Sequence, residues 1–236
     1  MEDGLIKVLA IGTVFMFIPI VIQSIWRKIP VWKSAIVTIL LTITGVAGIY
    51  IWFFVENLEW GGRSFFGAVF LVPVMCILAA KLLRISYKTL TDISAPAGCA
   101  MLALMKLKCY ADDCCRGIRL YRDAEGVMHF FPAQLVEFAN ALVLLAVLLI
   151  LSRRNKKEGT VYAWFLTLYG ATRFVLNFFR SSAKPYLWIL PAGHVWSLVA
   201  IGIGIAWMII VKRKEKTTPA VSDACIEETV YEEIDN

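Results

Sequence analysis

Long apolar runs alternate with short polar stretches along nearly the whole chain. The runs fall at Leu5–Trp26, Val31–Phe54, Phe65–Leu83, Ala133–Leu151, Val161–Phe179 and Leu187–Val211, each close to the roughly 20 residues that a helix needs to cross hydrocarbon. A weaker run, Pro96–Leu107, has only 12 residues, a length more typical of a short or re-entrant piece. Charge decides how to count it, because lysine and arginine in short loops mark the cytoplasmic side. The clusters are Arg27, Lys28 and Lys33; Lys81, Arg84 and Lys88; Arg153, Arg154, Lys156 and Lys157; and Lys212, Arg213, Lys214 and Lys216. All four lie on one side only if Pro96–Leu107 crosses completely. The pattern therefore predicts an all-α polytopic membrane protein with seven transmembrane helices (5–26, 31–54, 65–83, 96–107, 133–151, 161–179 and 187–211). Its amino terminus is expected outside and its carboxyl terminus in the cytoplasm. Residues 212–236 form a polar tail that ends acidically, from Asp223 to Asp235, and read as disordered. The first run does not read as a secretory signal. It follows an acidic Met-Glu-Asp-Gly start, is too long, and precedes no small-x-small cleavage site.

Composition agrees with this reading. Of the 236 residues, 59% are hydrophobic and only 18% charged, with a mean hydropathy of +0.71, more apolar surface than a soluble domain of this size needs. There is no internal repeat and no nucleotide-binding glycine pattern, and neither a cofactor nor a nucleic-acid partner is expected. A transporter fits poorly, because matching halves with broken helices are lacking. Six cysteines are present, Cys76, Cys99, Cys109, Cys114, Cys115 and Cys225. Their spacing matches no four-ligand zinc pattern, so no metal is expected, the alternative being a soft-metal site that involves Asp112 and Asp113. A disulfide from Cys109 to Cys114 or Cys115 requires the loop to face an oxidising side. The loop Leu107–Pro132 breaks the charge rule by carrying Lys108, Arg116, Arg119 and Arg122 on the outer side, offset by Asp112, Asp113, Asp123 and Glu125. It reads either as a solvated mixed-charge loop or as a basic lip over anionic lipid.

The candidate chemistry starts from Arg173, inside the sixth run. A guanidinium in hydrocarbon costs at least ~2.5–3.5 kcal/mol on insertion scales, so such a residue turns toward protein or a wet cavity with an anionic partner. Tyr169, Arg173, Asn177 and Arg180 recur at intervals of four, four and three, which is one helical face. Topology brings other polar residues to the same outer leaflet: Glu137 and Gln134 at the start of the fifth helix, His194 at the start of the seventh, Lys106 at the end of the fourth, and Gly61 and Ser64 before the third. Each has a structural reading. Glu137 pairs with Arg173 to join two helices, His194 is an interfacial hydrogen-bonding residue, and Gly61 and Gly62 let a loop turn or helices pack closely. Ser64 caps the third helix, whose free amides also suit a phosphate. Together they describe a positive cavity open toward the outer leaflet and suited to an anionic lipid headgroup.

These stretches resemble the bacterial prolipoprotein diacylglyceryl transferase family, in the family's order, from about Gly61 to Ser197. Tyr169-Gly-x-x-Arg173-Phe-x-x-Asn177-Phe-Phe-Arg180 resembles its most diagnostic segment, in which the arginine is essential. Phe131-Pro-Ala-Gln134-Leu-x-Glu137 resembles its Pro-x-Gln-Leu-Tyr-Glu segment, and Gly61-Gly-x-Ser64-Phe-x-Gly67 its Gly-Gly-x-Ser-x-His-Gly-Gly segment. Met105 to Gly117 resembles a degraded signature loop rich in glycine and cysteine. The resemblance implies transfer of a diacylglyceryl group from phosphatidylglycerol, or another anionic phospholipid, to the thiol of a lipobox cysteine in a lipoprotein precursor. It also implies a multi-pass protein of the bacterial cytoplasmic membrane. Arg173, Glu137 and His194 become the catalytic candidates, and Tyr169, Gln134, Lys106, Ser64, Gly61, Asn177 and Arg180 the substrate-binding ones.

Three departures stand out. Phe66 replaces the family's histidine in the third-helix motif, Asn177 replaces a glutamate, and Lys108 and Asp113 replace loop glycines. Losing the histidine removes a base for the thiol and leaves His194, or the substrate's own interfacial environment, to supply one. Lys106 keeps the charge of the loop arginine but not its fork. The alternatives are a catalytically altered paralogue using the same phospholipid pocket for another acceptor, and a non-enzymatic lipid-binding membrane protein.

Overall fold

The computed structural model describes the backbone of residues 2–155, 157–180, 185–187 and 190–234, and the side chains of 9–155, 157–180 and 190–213. Lys156, Lys214, Lys216 and the acidic residues of the tail, which were expected to mark a cytoplasmic end, lie outside the described side chains. The helices are α1 (Glu2–Trp26), α2 (Val31–Asn57), α3 (Phe66–Leu83), α4 (Tyr87–Ala111), α5 (Ala133–Arg154), α6 (Thr160–Asn177) and α7 (Ala192–Ile234). Two small antiparallel ribbons interrupt them, β1 (Arg119–Arg122) with β2 (Met128–Phe130), and β3 (Pro185–Leu187) with β4 (Leu190–Pro191). Among the described residues, six helices, all but α6, are long and apolar enough to cross a membrane. The chain is a helical, multi-pass membrane protein.

The fourth helix corrects the reading from hydropathy. Instead of a 12-residue piece at Pro96–Leu107, α4 runs for 25 residues from Tyr87. Its first turns hold Thr89, Thr91, Asp92 and Ser94, all buried. Polar side chains tolerate membrane depth when they face protein rather than lipid, and α4 meets that condition. In its apolar stretch 72% of residues are buried, against 22–33% in the other five crossing helices. It is the central post of the bundle, packed by α1, α3, α5 and α6. The seventh helix also starts later than expected, at Ala192 rather than Leu187, after the β3–β4 ribbon. Its backbone is helical to Ile234.

Small residues set the spacing elsewhere. Gly48 on α2 faces Gly67 on α3, and a Cβ on Gly48 would lie 2.8 Å from the Gly67 carbonyl oxygen. This is the close backbone approach by which membrane helices gain packing contact. At the end of the bundle away from the Arg173 cluster, polar groups form a closed set of bonds. Asp92, fully buried, accepts the backbone N–H groups of Gly159 at 2.8 Å and Tyr162 at 3.0 Å, and pairs with Arg27 at 3.5 Å. It thus caps α6 from a neighbouring helix. Gln23 donates to the Ile93 carbonyl at 3.2 Å and accepts from Ser152 at 2.8 Å, tying α1 to α4 and α5.

Candidate active site

The opposite end gathers the C-termini of α2, α4 and α6 with the N-termini of α3, α5 and α7. Glu137, one turn into α5 and 5% exposed, is its hub. Its carboxylate accepts Arg173 Nη1 at 2.7 Å and Arg180 Nη1 at 3.2 Å, and forms an ion pair with the Lys106 ammonium. The accessible fractions of the three cationic side chains are 18%, 27% and 13%. Three cations on one carboxylate leave a local excess of two positive charges in a poorly solvated place, which an anion would relieve. Glu56, near the end of α2, lies within the field of Arg173 and accepts a hydrogen bond from Ser64 at 2.9 Å. Ser64 therefore does not cap α3, whose first turn follows Phe65 without a side-chain cap.

Beside this hub, several buried polar atoms have no hydrogen-bond partner among the described residues: Arg173 Nε, Asn177 Nδ2, Trp196 Nε1 and both ring nitrogens of His194. Buried polar atoms are normally paired, so such a concentration calls for an explanation. Arg173, Asn177 and Trp196 offer N–H donors in need of an acceptor. Asn177 packs on Gly193, where an added Cβ would meet its Nδ2 at 2.7 Å. His194 is held edge-on between Phe174 and Phe178, at centroid distances of 5.2 and 4.6 Å, and does not touch Glu137. Tyr169 is buried against Phe65, Phe66 and Phe165. Gly61 is exposed, has φ +117° and touches nothing within 4 Å of a built Cβ; it turns the loop and contacts no cluster residue. The Arg173 guanidinium is seated on Glu137.

The loop after α4 covers this end. Gln134, 5% exposed, donates to the Cys114 carbonyl at 2.7 Å. Gly117 donates to the Phe131 carbonyl at 3.0 Å and bridges to Arg180, and Ile118 donates to the Phe179 carbonyl at 3.0 Å. A Cβ at Gly117 would sit 2.6 Å from one of those carbonyls, so glycine is required there. Lys108 pairs with Asp112, and Arg116 with Asp113. These pairs neutralise the start of the loop and favour a mixed-charge surface over a basic lip. Cys109, in the last turn of α4, and Cys114 and Cys115, on this loop, are free thiols. Cys115 is held well below the usual thiol range, first by its hydrogen bond with Cys109 and then by Arg180 and Lys106.

The sequence profile described as "Prolipoprotein diacylglyceryl transferase" matches residues 4–210. The chain belongs to the prolipoprotein diacylglyceryl transferase family. Among its relatives, the phosphatidylglycerol–prolipoprotein diacylglyceryl transferase of Proteus mirabilis is 37% identical over 97 residues, 40% of this chain and 33% of that protein. The protein of the same name from Geobacter sulfurreducens is 29% identical over 167 residues, 66% of this chain and 64% of the relative. That from Mannheimia succiniciproducens is 27% identical over 165 residues, 65% and 62% of the two chains. The chain thus spans between a third and just under two thirds of the length of these relatives.

Within this family member, structure unites Arg173, Glu137, Arg180 and Lys106, sets Gln134 and Tyr169 at their edge, and places His194 and Asn177 in an adjoining aromatic compartment. Phe66 lies stacked with Phe70 at 6.1 Å and edge-on to Tyr169 at 5.8 Å. Sequence reading missed Glu56 and Trp196. The available signal for Glu56 was a carboxylate at the end of an apolar run, eight residues before Ser64.

Proposed function

We propose that the chain moves a diacylglyceryl group from phosphatidylglycerol to a lipobox cysteine of a lipoprotein precursor in a bacterial cytoplasmic membrane. In this reading α6 is a seventh crossing, the amino terminus lies outside and residues 212–236 lie in the cytoplasm. The cationic cluster then faces the outer leaflet. The observation that carries the proposal is Arg173, Arg180 and Lys106 converging on the single carboxylate of Glu137, beside buried donors that have no partner.

The acceptor thiolate forms a bond to the terminal glycerol carbon of the diacylglyceryl group. The carbon–oxygen bond to phosphate breaks, and glycerol phosphate leaves with the electron pair. Arg173 and Arg180 hold the phosphate and stabilise the charge that grows on the leaving oxygen. Lys106 adds a point charge, and Glu137 keeps the two arginines in register when lipid is absent. Asn177 and Trp196 offer donors to the ester and glycerol oxygens. Glu137 is already engaged by three cations and serves to position them. His194 and Glu56 remain as groups that can take the thiol proton.

The test is transfer of radiolabelled diacylglycerol from phosphatidylglycerol to a lipobox peptide by the purified, reconstituted chain. Label should appear on the cysteine peptide and not on its Cys→Ser version, and Arg173→Ala should abolish it. Full turnover by Arg173→Ala would remove the phosphate clamp from the mechanism. A second reading rests on Phe66: with the histidine of that motif replaced by an aromatic ring, the same lipid site serves another acceptor, or binds lipid without turnover. Saturable phosphatidylglycerol binding without peptide labelling is its signature.

A further inference from the structure

The cysteines of the loop carry an arrangement that the diacylglyceryl transfer does not use. Cys109 lies in the last turn of α4, and Cys114 and Cys115 follow in the loop. Their three sulfur atoms all lie within 4.8 Å of one another. Sulfurs bound to one zinc ion at ~2.3 Å each stand roughly 4 Å apart, so the three are already at the spacing of a coordination triangle. The backbone is bent to achieve this. Asp113 and Cys115 both adopt left-handed φ, +52° and +59°, without being glycine, a conformation that L-residues avoid. The Cys114 N–H bonds back to the Cys109 carbonyl at 3.0 Å, and Gln134 fixes the Cys114 carbonyl from α5.

We infer that Cys109, Cys114 and Cys115 form a three-thiolate site for a thiophilic metal ion, with zinc as the probe ion. The spacing C-x4-C-C matches no four-cysteine finger because the site has only three protein ligands. The nearest carboxylates are engaged elsewhere, Asp112 with Lys108 and Asp113 with Arg116. A fourth coordination position is therefore left for water or another small ligand, the pattern of an open rather than a closed zinc site. Three thiolates and one dication sum to a single negative charge, and the fields of Lys106 and Arg180 reach this loop, so the loaded site is electrostatically matched to its surroundings.

The experiment uses the full chain in detergent, reduced, stripped with chelator and freed of both reagents. Zinc is titrated against a competing chromophoric chelator, and cobalt serves as a spectroscopic probe. One zinc per chain should bind with a dissociation constant of about 1 µM or tighter, and cobalt should give sulfur-to-metal charge-transfer absorption. Cys109→Ala, Cys114→Ala and Cys115→Ala should each weaken binding at least tenfold while eluting as folded protein, and Cys225→Ser should bind as the wild type does. Zinc uptake by the triple Cys→Ala variant equal to wild type would overturn the site. So would cobalt binding without thiolate charge transfer, or a disulfide among the three cysteines forming in air while zinc is present.

Discussion

Replacing Glu137 with glutamine keeps the shape of the side chain but removes the charge on which three cations converge. At an effective dielectric of about 20, the lost attraction is about 6 kcal/mol for Arg173 at 2.7 Å and about 5 kcal/mol for Arg180 at 3.2 Å, with Lys106 adding a third contribution. Relaxation offsets much of this, because the Arg180 and Lys106 side chains are 27% and 13% accessible and can turn toward solvent or headgroups. Removing one partner of a buried ion pair typically costs about 3–5 kcal/mol. We therefore expect Glu137→Gln to lose roughly 4 kcal/mol, a fall in melting temperature on the order of 10 °C for a chain of this size. Tryptophan fluorescence in an uncharged detergent measures it. Added phosphatidylglycerol should recover more of the loss than phosphatidylcholine does, because its phosphate comes with net negative charge. A variant melting within about 2 °C of wild type, or equal rescue by the two lipids, would refute the reasoning.

Further outcomes follow from the rest of the bundle. Asp92→Asn should destabilise the fold by about 2–4 kcal/mol, since it weakens the cap on α6 and leaves Arg27 without its partner; a melt indistinguishable from wild type would dismiss the cap. Gly67→Ala places a methyl group against the Gly48 carbonyl and should cost about 1–3 kcal/mol, or force α2 and α3 apart, as read by thermal unfolding and inter-helix cross-linking. The Glu158 carboxylate is held below the usual range, first by the Ser86 hydroxyl at 2.5 Å. A depressed folded-state value means that its contribution is present above the unfolded value near ~4.3 and is lost as pH falls through the folded one. Glu158→Gln should accordingly cost under about 1 kcal/mol at neutral pH, after solvent screening. The difference from wild type should close on acidification in melts run from pH 7 to pH 3.

Much of this was legible in the chain. The apolar runs located the helices, and of the stripe Tyr169, Arg173, Asn177, Arg180 it is Arg173 and Arg180 that meet Glu137, the latter from beyond the end of α6. Hydropathy failed at α4 because it scores Thr89, Thr91, Asp92 and Ser94 as if they met lipid, whereas in the fold they meet other helices. Glu56 was missed because its partner Ser64 belongs to a different element, and Ser64 was misread as a helix cap for the same reason. Whether the loop after α4 was a basic lip depended on which aspartate each cation reaches, and spacing alone does not settle that. The unpartnered donors of Asn177 and Trp196 are a property of packing, with no counterpart in periodicity.

The backbone bridge between Gly117 and Arg180 has a mechanical consequence. Residues 117 and 118 are laced to 179 and 180 on one side and to 131 on the other. A swing of the loop that keeps these bonds intact moves the Arg180 backbone with it. Any rearrangement of the loop is thereby coupled to the backbone that carries one of the cations on Glu137.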